Sequence, residues 1–406
     1  MVDRITPNIW TDYPKIPLPQ VLSFIVDNRG KTVPTTETGH KLIATNCIRN
    51  ENLYPSYEKI RFLSDDTYRN WFRAHPVPGD IIFVCKGTPG RVCMVPDPID
   101  FCIAQDMVAL RANEDIVYNR YLLVILRSAE IQKQIYNYSV GDVIPHFKKS
   151  FFDRLEIPIP PMKIQRAIGD FYFSFSLKIE LNTQINHNLE EQAKALYDQI
   201  WDNYDSGTWS SAKAEDLFDI SIGKTPPRKE SQWFSENDND IVWVSIADMG
   251  QSGCFISNSS EYLTPDAVSR FNVKRVPAGA ILLSFKLTVG RVAIAGCELT
   301  TNEAIAHFRI DDSSIREYLF FYLKQFNYQT MGSTSSIATA VNSKMVKAMR
   351  IDIPPKETLE MFHSTVSPMF GKIKQNQQET QKLTQLRDAL LPKLMSGEID
   401  VSEVEV

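Results

Sequence analysis

The sequence predicts an α/β (α+β) fold: two similar mixed globular domains related by a pseudo-two-fold, each followed by a long helix. Three observations predict it. Ordered motifs occur twice, apolar runs of strand length alternate with polar turns in both halves, and two long stretches carry a heptad pattern. The motif order in the first half is Gly30-Lys31-Thr32 with Pro34, then Pro78-Gly79-Asp80-Ile81-Ile82, then Lys86-Gly87-Thr88-Pro89-Gly90-Arg91-Val92, then Ile157-Pro158-Ile159-Pro160-Pro161. The second half repeats it as Gly223-Lys224-Thr225 with Pro226, Pro277-Ala278-Gly279-Ala280-Ile281, Lys286-Leu287-Thr288-Val289-Gly290-Arg291-Val292 and Ile351-Asp352-Ile353-Pro354-Pro355. A repeat of about 195 residues is far longer than a solenoid unit, so it reads as a duplicated domain. The division is residues 1–160 and 204–353 for the domains, and 161–203 and 354–406 for the helical segments.

Within each domain, Leu42-Ile43-Ala44, Ile81-Ile82-Phe83-Val84, Ile241-Val242-Trp243-Val244 and Ile281-Leu282-Leu283 are the strand candidates. Stretches rich in Gly, Pro, Asn and Asp, such as Asn50 to Tyr57 and Ser235 to Asp240, read as loops. One short helix is expected near Asn119 to Ile135, with a counterpart near Ser314 to Phe326 that matches Tyr121-Leu122 with Tyr318-Leu319.

Lys163 to Trp201 holds no proline and one glycine, Gly169. Ile168, Phe175, Asn182, Leu189 and Leu196 recur every seventh residue, as do Tyr172, Ile179, Asn186, Ala193 and Ile200, which is an a/d seam. In the second copy, Phe362, Met369, Asn376, Leu383 and Leu390 form one row, and Val366, Ile373, Thr380, Arg387 and Leu394 form a weaker one. Asn182 and Asn376 hold equivalent seam positions, where a buried Asn fixes register at a cost in stability; the plainer reading makes both solvated. Pro368 predicts a kink or a fresh helix start capped by Ser367, and Pro392 a weakening.

Composition bounds the function. At 406 residues, 43% hydrophobic and 23% charged, the chain has room for two or three ordinary cores. It has no run of 18 apolar residues and no basic-then-apolar leader, so a soluble, cytoplasmic protein is expected. Cys47, Cys85, Cys93, Cys102, Cys254 and Cys297 form no C-x-x-C pair and read as buried free thiols. The net charge is -5, but residues 1–150 carry 18 Lys+Arg against 16 Asp+Glu and residues 205–350 carry 15 against 16. Two near-neutral domains neither create nor forbid a basic groove.

Catalytic motifs are missing. Gly30-Lys31-Thr32 and Gly223-Lys224-Thr225 resemble the end of a phosphate loop, but Ile25 and Phe218 stand where its first glycine belongs. Neither G-x-G-x-x-G, H-E-x-x-H, G-x-S-x-G nor a methyltransferase-type Asn/Asp-Pro-Pro-aromatic tetrad occurs, and the six histidines are scattered. The chain reads as non-catalytic, with no cofactor or metal of its own. A duplicated, two-sided object suits a two-sided partner, and duplex DNA is the leading case.

The layout resembles the specificity subunit of type I restriction-modification enzymes. The resemblance rests on the paired Thr-x-Gly-Arg-Val turns at 88–92 and 288–292, the Ile-x-Ile-Pro-Pro exits, and the tail Leu390-Leu391-Pro392-Lys393-Leu394-Met395-Ser396-Gly397-Glu398-Ile399. It implies that each globular half is a target recognition domain reading half of a bipartite DNA site. It also implies two antiparallel coiled-coil spacer helices, two methyltransferase subunits docked on the assembly with S-adenosylmethionine on them, and motor and nuclease subunits that can join.

Features common to both halves cannot distinguish two half-sites. Lys31, Thr32, Lys86, Thr88 and Arg91, with Lys224, Thr225, Lys286, Thr288 and Arg291, are therefore expected to serve the fold or the DNA backbone. Base reading is expected where the halves differ: Asn46, Arg49 and Asn50 against Ser245 and Asp248, or His146, Lys148 and Lys149 against Asn342 and Lys344. The alternative left open is a duplicated protein-interaction scaffold whose helices form an oligomerisation arm.

Overall fold

The computed structural model describes residues 7–28, 30, 32–141, 144–331 and 341–400. The chain divides into two compact units, residues 1–181 with 380–406, and residues 182–379. Each unit therefore holds one globular domain and a portion of both long helices, Met162–Asp202 and Lys356–Ser396.

In the first unit the central sheet has the order Leu22–Val26, Met107–Ala112, Ile81–Val84, Val92–Met94, all antiparallel. A second sheet sets His40–Ile43 between Arg61–Leu63, antiparallel, and Phe101–Ile103, parallel. Lys15–Pro17 pairs with the exit strand Glu156–Pro158. The second unit repeats this order. Asp219–Ile222, Ile305–Arg309, Ile281–Ser284 and Val292–Ala295 form its central sheet, extended by Phe255–Ile256. Ile241–Val244 lies between Tyr262–Leu263 and Thr300–Thr301, and Ser210–Lys213 pairs with Arg350–Ile353. The strands Ile81–Val84 and Ile281–Ser284 are buried along their whole length because both sheet faces are covered.

Tyr121 and Tyr318 do the same job in each domain. Both rings are fully buried, and the hydroxyls donate to the exit strand, at Pro158 O (2.9 Å) and Asp352 O (2.7 Å). The first-domain helix differs from the sequence reading. It is two helices, Asn119–Arg127 and Ala129–Tyr138, because Ser128 takes an extended backbone and its hydroxyl accepts from Ile131 N. At the matching place the second domain has one helix, Arg316–Gln325.

Gly169 permits a close approach of the long helix to the helix Asn119–Arg127 in the first unit. A Cβ there would lie 2.7 Å from the backbone nitrogen of Tyr121. At the matching place in the second unit, His363 Nδ1 meets the buried carboxylate of Glu317 at 2.6 Å.

The long helices decide readings that the sequence left open and correct one, the ranking of the two rows. Lys356–Ser396 is continuous through Pro368 and Pro392, with no fresh start at Ser367. Losing one amide bond costs about 3 kcal/mol, but Phe362, Val366, Phe370 and Ile373 are all buried around it, each contributing roughly 1.5–3 kcal/mol. The row judged weaker is the better buried one: Val366, Ile373, Arg387 and Leu394 are all in the core, whereas Met369, Leu383 and Leu390 are half-buried. Arg387, 5% exposed, holds its guanidinium over Tyr172 and donates to Asp388 (2.8 Å) and Ser176 (3.3 Å), so its alkyl stem fills an apolar place. Asn182 and Asn376 are each 1% exposed rather than solvated. Asn182 donates to Glu379 and Asn376 to Asn186, both at 2.9 Å, so the helices run antiparallel within this unit.

All six cysteines are free thiols, five of them buried and Cys297 half-buried. Among the described residues no helix is long and apolar enough to cross a membrane, and no group of three or more His, Cys, Asp or Glu side chains could hold a metal ion.

Candidate nucleic-acid interface

Antiparallel neighbours in a sheet bring the end of one strand beside the start of the next. In the first domain this gathers the segment after Leu22–Val26, the segment after Ile81–Val84 and the segment before Met107–Ala112 at one sheet edge. Cys85 N and Lys86 N both donate to Asp106 O, at 2.7 and 3.2 Å. The chain from Pro145 to Phe147 then joins this edge: Gly87 N donates to Pro145 O (2.9 Å), Phe147 N to Cys85 O (2.8 Å), and His146 bridges Lys86. The result is an open cleft of about 610 Å³ lined by Asp27, Gly30, Thr32, Arg73, Cys85, Lys86, Gln105, Asp106 and His146.

Polar groups of both signs line it, which suits base edges as well as phosphates. The buried Asn28 holds Arg73 in place: its Oδ1 accepts from Arg73 N (2.9 Å), and its Nδ2 donates to Ala74 O (2.8 Å) and Ile103 O (3.3 Å). Lys149 reaches the wall through Asp27 at 3.4 Å. Gln105 has a left-handed backbone, φ 51°, a strained conformation of the kind that clusters at functional sites.

The same edge of the second domain carries different chemistry. Lys224 follows the strand Asp219–Ile222, Lys286 follows Phe285, and both side chains are exposed. Thr225 donates to Glu303, which precedes Ile305–Arg309. Burial works to raise the Glu303 carboxyl, but the hydrogen bonds from Thr225 and its own backbone, with the charges of Lys286 and Arg228, outweigh it and hold it below the ordinary glutamate value. Arg228 forks onto Glu261 at 2.8 and 2.9 Å and stacks over Phe234 and Trp243. Deeper in the sheet, His307 is 2% exposed and lies between the hydroxyls of Ser221 (2.9 Å) and Thr301 (2.7 Å). Burial pushes its pKa down to about 4, so it is neutral at pH 7.

The structure sorts the sequence candidates. Thr32, Lys86 and His146 meet in the first cleft, and Lys149 stands at its wall. Thr88, Arg91 and Lys148 are exposed. Lys31 lies outside the described residues. Arg49 is ion-paired to Glu58 at 2.6 Å, and Asn46 donates to the Glu58 carbonyl at 2.6 Å.

Several candidate base readers are engaged as braces within the fold. Asn50 Oδ1 accepts from Val92 N at 2.8 Å. Ser245 and Asp248 close a capping box on the short helix Ile246–Met249, and Asp248 also accepts from Ser260 N. Asn342 caps Ser343–Ala348, on which Lys344 is exposed. For Ser245, Asp248 and Asn342 the physical reason is local, a short polar side chain folding back onto an unpaired backbone amide, whereas the amide that Asn50 meets is distant in sequence. Arg91 and Arg291 are also not equivalent, since Arg291 is half-buried and donates to Ile246 O (2.5 Å), whereas Arg91 is exposed. Thr288 is exposed at its hairpin tip, where its carbonyl accepts from Ser284 Oγ.

Arg73, Gln105, Asp106, Arg228 and Glu303 were missed by reasoning from repeated motifs, because none falls inside one. The usable signal for Gln105, Asp106 and Glu303 was their place just before strands that pair with others, whereas Arg73 and Arg228 stand in loops with no such mark.

The family model described as "Type I restriction modification DNA specificity domain" matches residues 38–191 and 206–385, more than half of the chain. The chain is similar to the type I restriction enzyme HindI specificity subunit of Haemophilus influenzae, 24% identical over 401 residues, covering 79% of this chain and 86% of that one. It is also similar to the MjaIX specificity subunit of Methanocaldococcus jannaschii, 27% identical over 320 residues, covering 72% and 71%. The crystal structure of the S subunit of a type I restriction-modification system from M. genitalium shares the fold, with a TM-score of 0.59 at 14% identity over 97% of both chains. With two domains of one topology, and both of them matched, the chain belongs to the type I restriction-modification DNA specificity family, the DNA-recognising, non-catalytic component that directs a methyltransferase.

Proposed function

We propose that each domain reads one half of a bipartite duplex site through the sheet edge described above, residues 1–160 serving one half-site and 204–353 the other. The observation that carries this reading is the repetition of one strand order with two different sets of polar groups on the same edge. Two equal frames supply two equal footprints; unequal side chains supply two different half-sites.

Roles follow from exposure. Lys86, Thr88, Arg91 and Lys148, with Lys224, Lys286, Thr288 and Lys344, are exposed and positioned for phosphates, which set register without reading sequence. Arg73, Asp106 and His146 in one cleft, and Thr225 with Glu303 at the other edge, carry base discrimination. Carboxylates accept from cytosine and Arg forks onto guanine. The helices, 41 residues each and about 60 Å long at 1.5 Å per residue, set the number of unread bases between the half-sites. Two methyltransferase subunits, carrying S-adenosylmethionine, complete the modifying complex in the cytoplasm, and motor and nuclease subunits extend it to restriction.

Single-molecule methylation sequencing of a host expressing this chain with its methyltransferase tests the reading. A two-part motif with a fixed gap, lost when this chain is deleted, is the expected result. Inserting a whole helical turn into each long helix lengthens the gap and leaves the half-sites intact; altered half-sites, or methylation independent of this chain, would overturn it.

A further inference from the structure

The hairpin tips at residues 86–91 and 286–291 are built alike. Gly90 N donates to Val84 O (3.0 Å) and Gly290 N to Ser284 O (2.9 Å). Gly87 and Leu287 hold the same place, both with left-handed backbones, φ 87° and 59°. Glycine takes that conformation freely; a leucine is strained by it. Among the described residues the other non-glycine left-handed positions are Lys59, Gln105 and Asn272, all polar.

Leu287 is 97% exposed. A single exposed leucine is ordinary, and a single strained residue can be offset by packing. Among the described residues nothing packs on the side chain, so strain and exposure fall on one residue with no return from those residues. The tip is also rigid. The fully buried Ser284 donates to Thr288 O (2.5 Å) and accepts from Arg291 N (3.0 Å), and Val84 in the first domain has no hydroxyl to do this. Exposed Lys286 and Thr288 flank the leucine. A stiff apolar tip between a cation and a hydroxyl fits a nucleic acid, whose phosphates sit beside apolar base faces and thymine methyls.

We propose that Leu287 makes an apolar contact to a base of the second half-site, a specificity contact the first domain lacks because Gly87 has no side chain. This rests on the proposed bipartite reading. The test uses the complex of the full chain with its methyltransferase, on duplexes carrying the site found by methylation sequencing and every single base-pair change in it. Leu287→Gly copies the first domain and relieves the strain, so folding and methyltransferase co-purification stay intact. The expected result is a roughly tenfold loss of preference at one base pair of the second half-site, with the first half-site unchanged. Leu287→Ala should give a partial loss. Either of two probes locates the contact: uracil for thymine weakens wild type but not Leu287→Gly, or 2-aminopurine brightens with wild type alone. Unchanged preference at every position overturns the inference while leaving the bipartite reading standing. So does lost co-purification with intact base preferences, which would make the tip a protein contact. A wild-type complex that methylates no two-part site sinks the underlying reading and this contact with it.

Discussion

The two domains share a frame and differ in how they spend their charges. The first half-buries an ion pair: Asp80, 1% exposed, takes Arg111, whose side chain is 34% exposed, in a fork of two 2.9 Å bonds. The second has Ala280 at the matching turn, and among the described residues Arg309 on the matching strand pairs only with the exposed Asp311, at 3.3 Å. Conversely, the second buries His307 opposite Leu282, where the first has Ala109 opposite Ile82. The lesson is that paired strands define the fold, whereas charged positions within it were settled separately in each copy. That separation is what lets one scaffold serve two half-sites.

The sharpest way to break this comparison is to remove the half-buried pair. Arg111→Ala leaves the Asp80 carboxyl without its partner and should cost about 2–3 kcal/mol, while Arg309→Ala should cost less than about 0.5 kcal/mol. Calorimetry on both variants would show it, and equal shifts would refute the asymmetry. Acid provides a comparable lever on the other domain. The unfolded-state histidine takes a proton near pH 6.5, but folded His307 does not until about 4. Between these values the unfolded chain binds more protons, so stability is full above pH 6.5 and is lost as pH falls toward 4, by about 3 kcal/mol. His307→Gln should flatten that slope in denaturation measured across the range. A slope that survived the substitution would place the titration elsewhere.

Helix contact comes next. Gly169→Ala pushes a methyl against the Tyr121 backbone and should cost about 1–2 kcal/mol, despite the better helix propensity of alanine. A rise in Tm would mean the helices separate easily there. Ser245→Ala opens the capping box and should cost about 1 kcal/mol without changing the methylated motif; a changed motif would restore Ser245 as a reader. The smallest effect is expected from Lys86→Ala or Lys286→Ala: affinity weakened evenly across sequences, and a salt dependence shallower by about one counterion. Fluorescence titration at several ionic strengths measures both.

Much of the frame was legible in the chain. Ile81–Val84 and Ile281–Ser284, the glycine turns after them and the Pro-Pro exits all follow from local chemistry that acts wherever the residues stand. The readers were harder because their meaning depends on neighbours distant in sequence. Asn50 looks like a base reader until Val92 N is seen against it, and Asp106 looks like a loop acid until Lys86 and His146 arrive beside it. Pro368 starts no new helix for the same reason, since the flanking residues that hold the helix together are buried by partners that a local rule does not see.

The first domain's core includes Ile9 together with Leu394 and Met395, and Ile9 N donates to Met395 O at 3.0 Å. Synthesis therefore delivers the whole of the second domain before the last piece of the first. Until that piece emerges from the ribosome, the first domain carries an open apolar strip, although it was made earliest. The order of completion is the reverse of the order of translation, and a released chain ending near residue 380 would hold every residue of the second unit and lack part of the first.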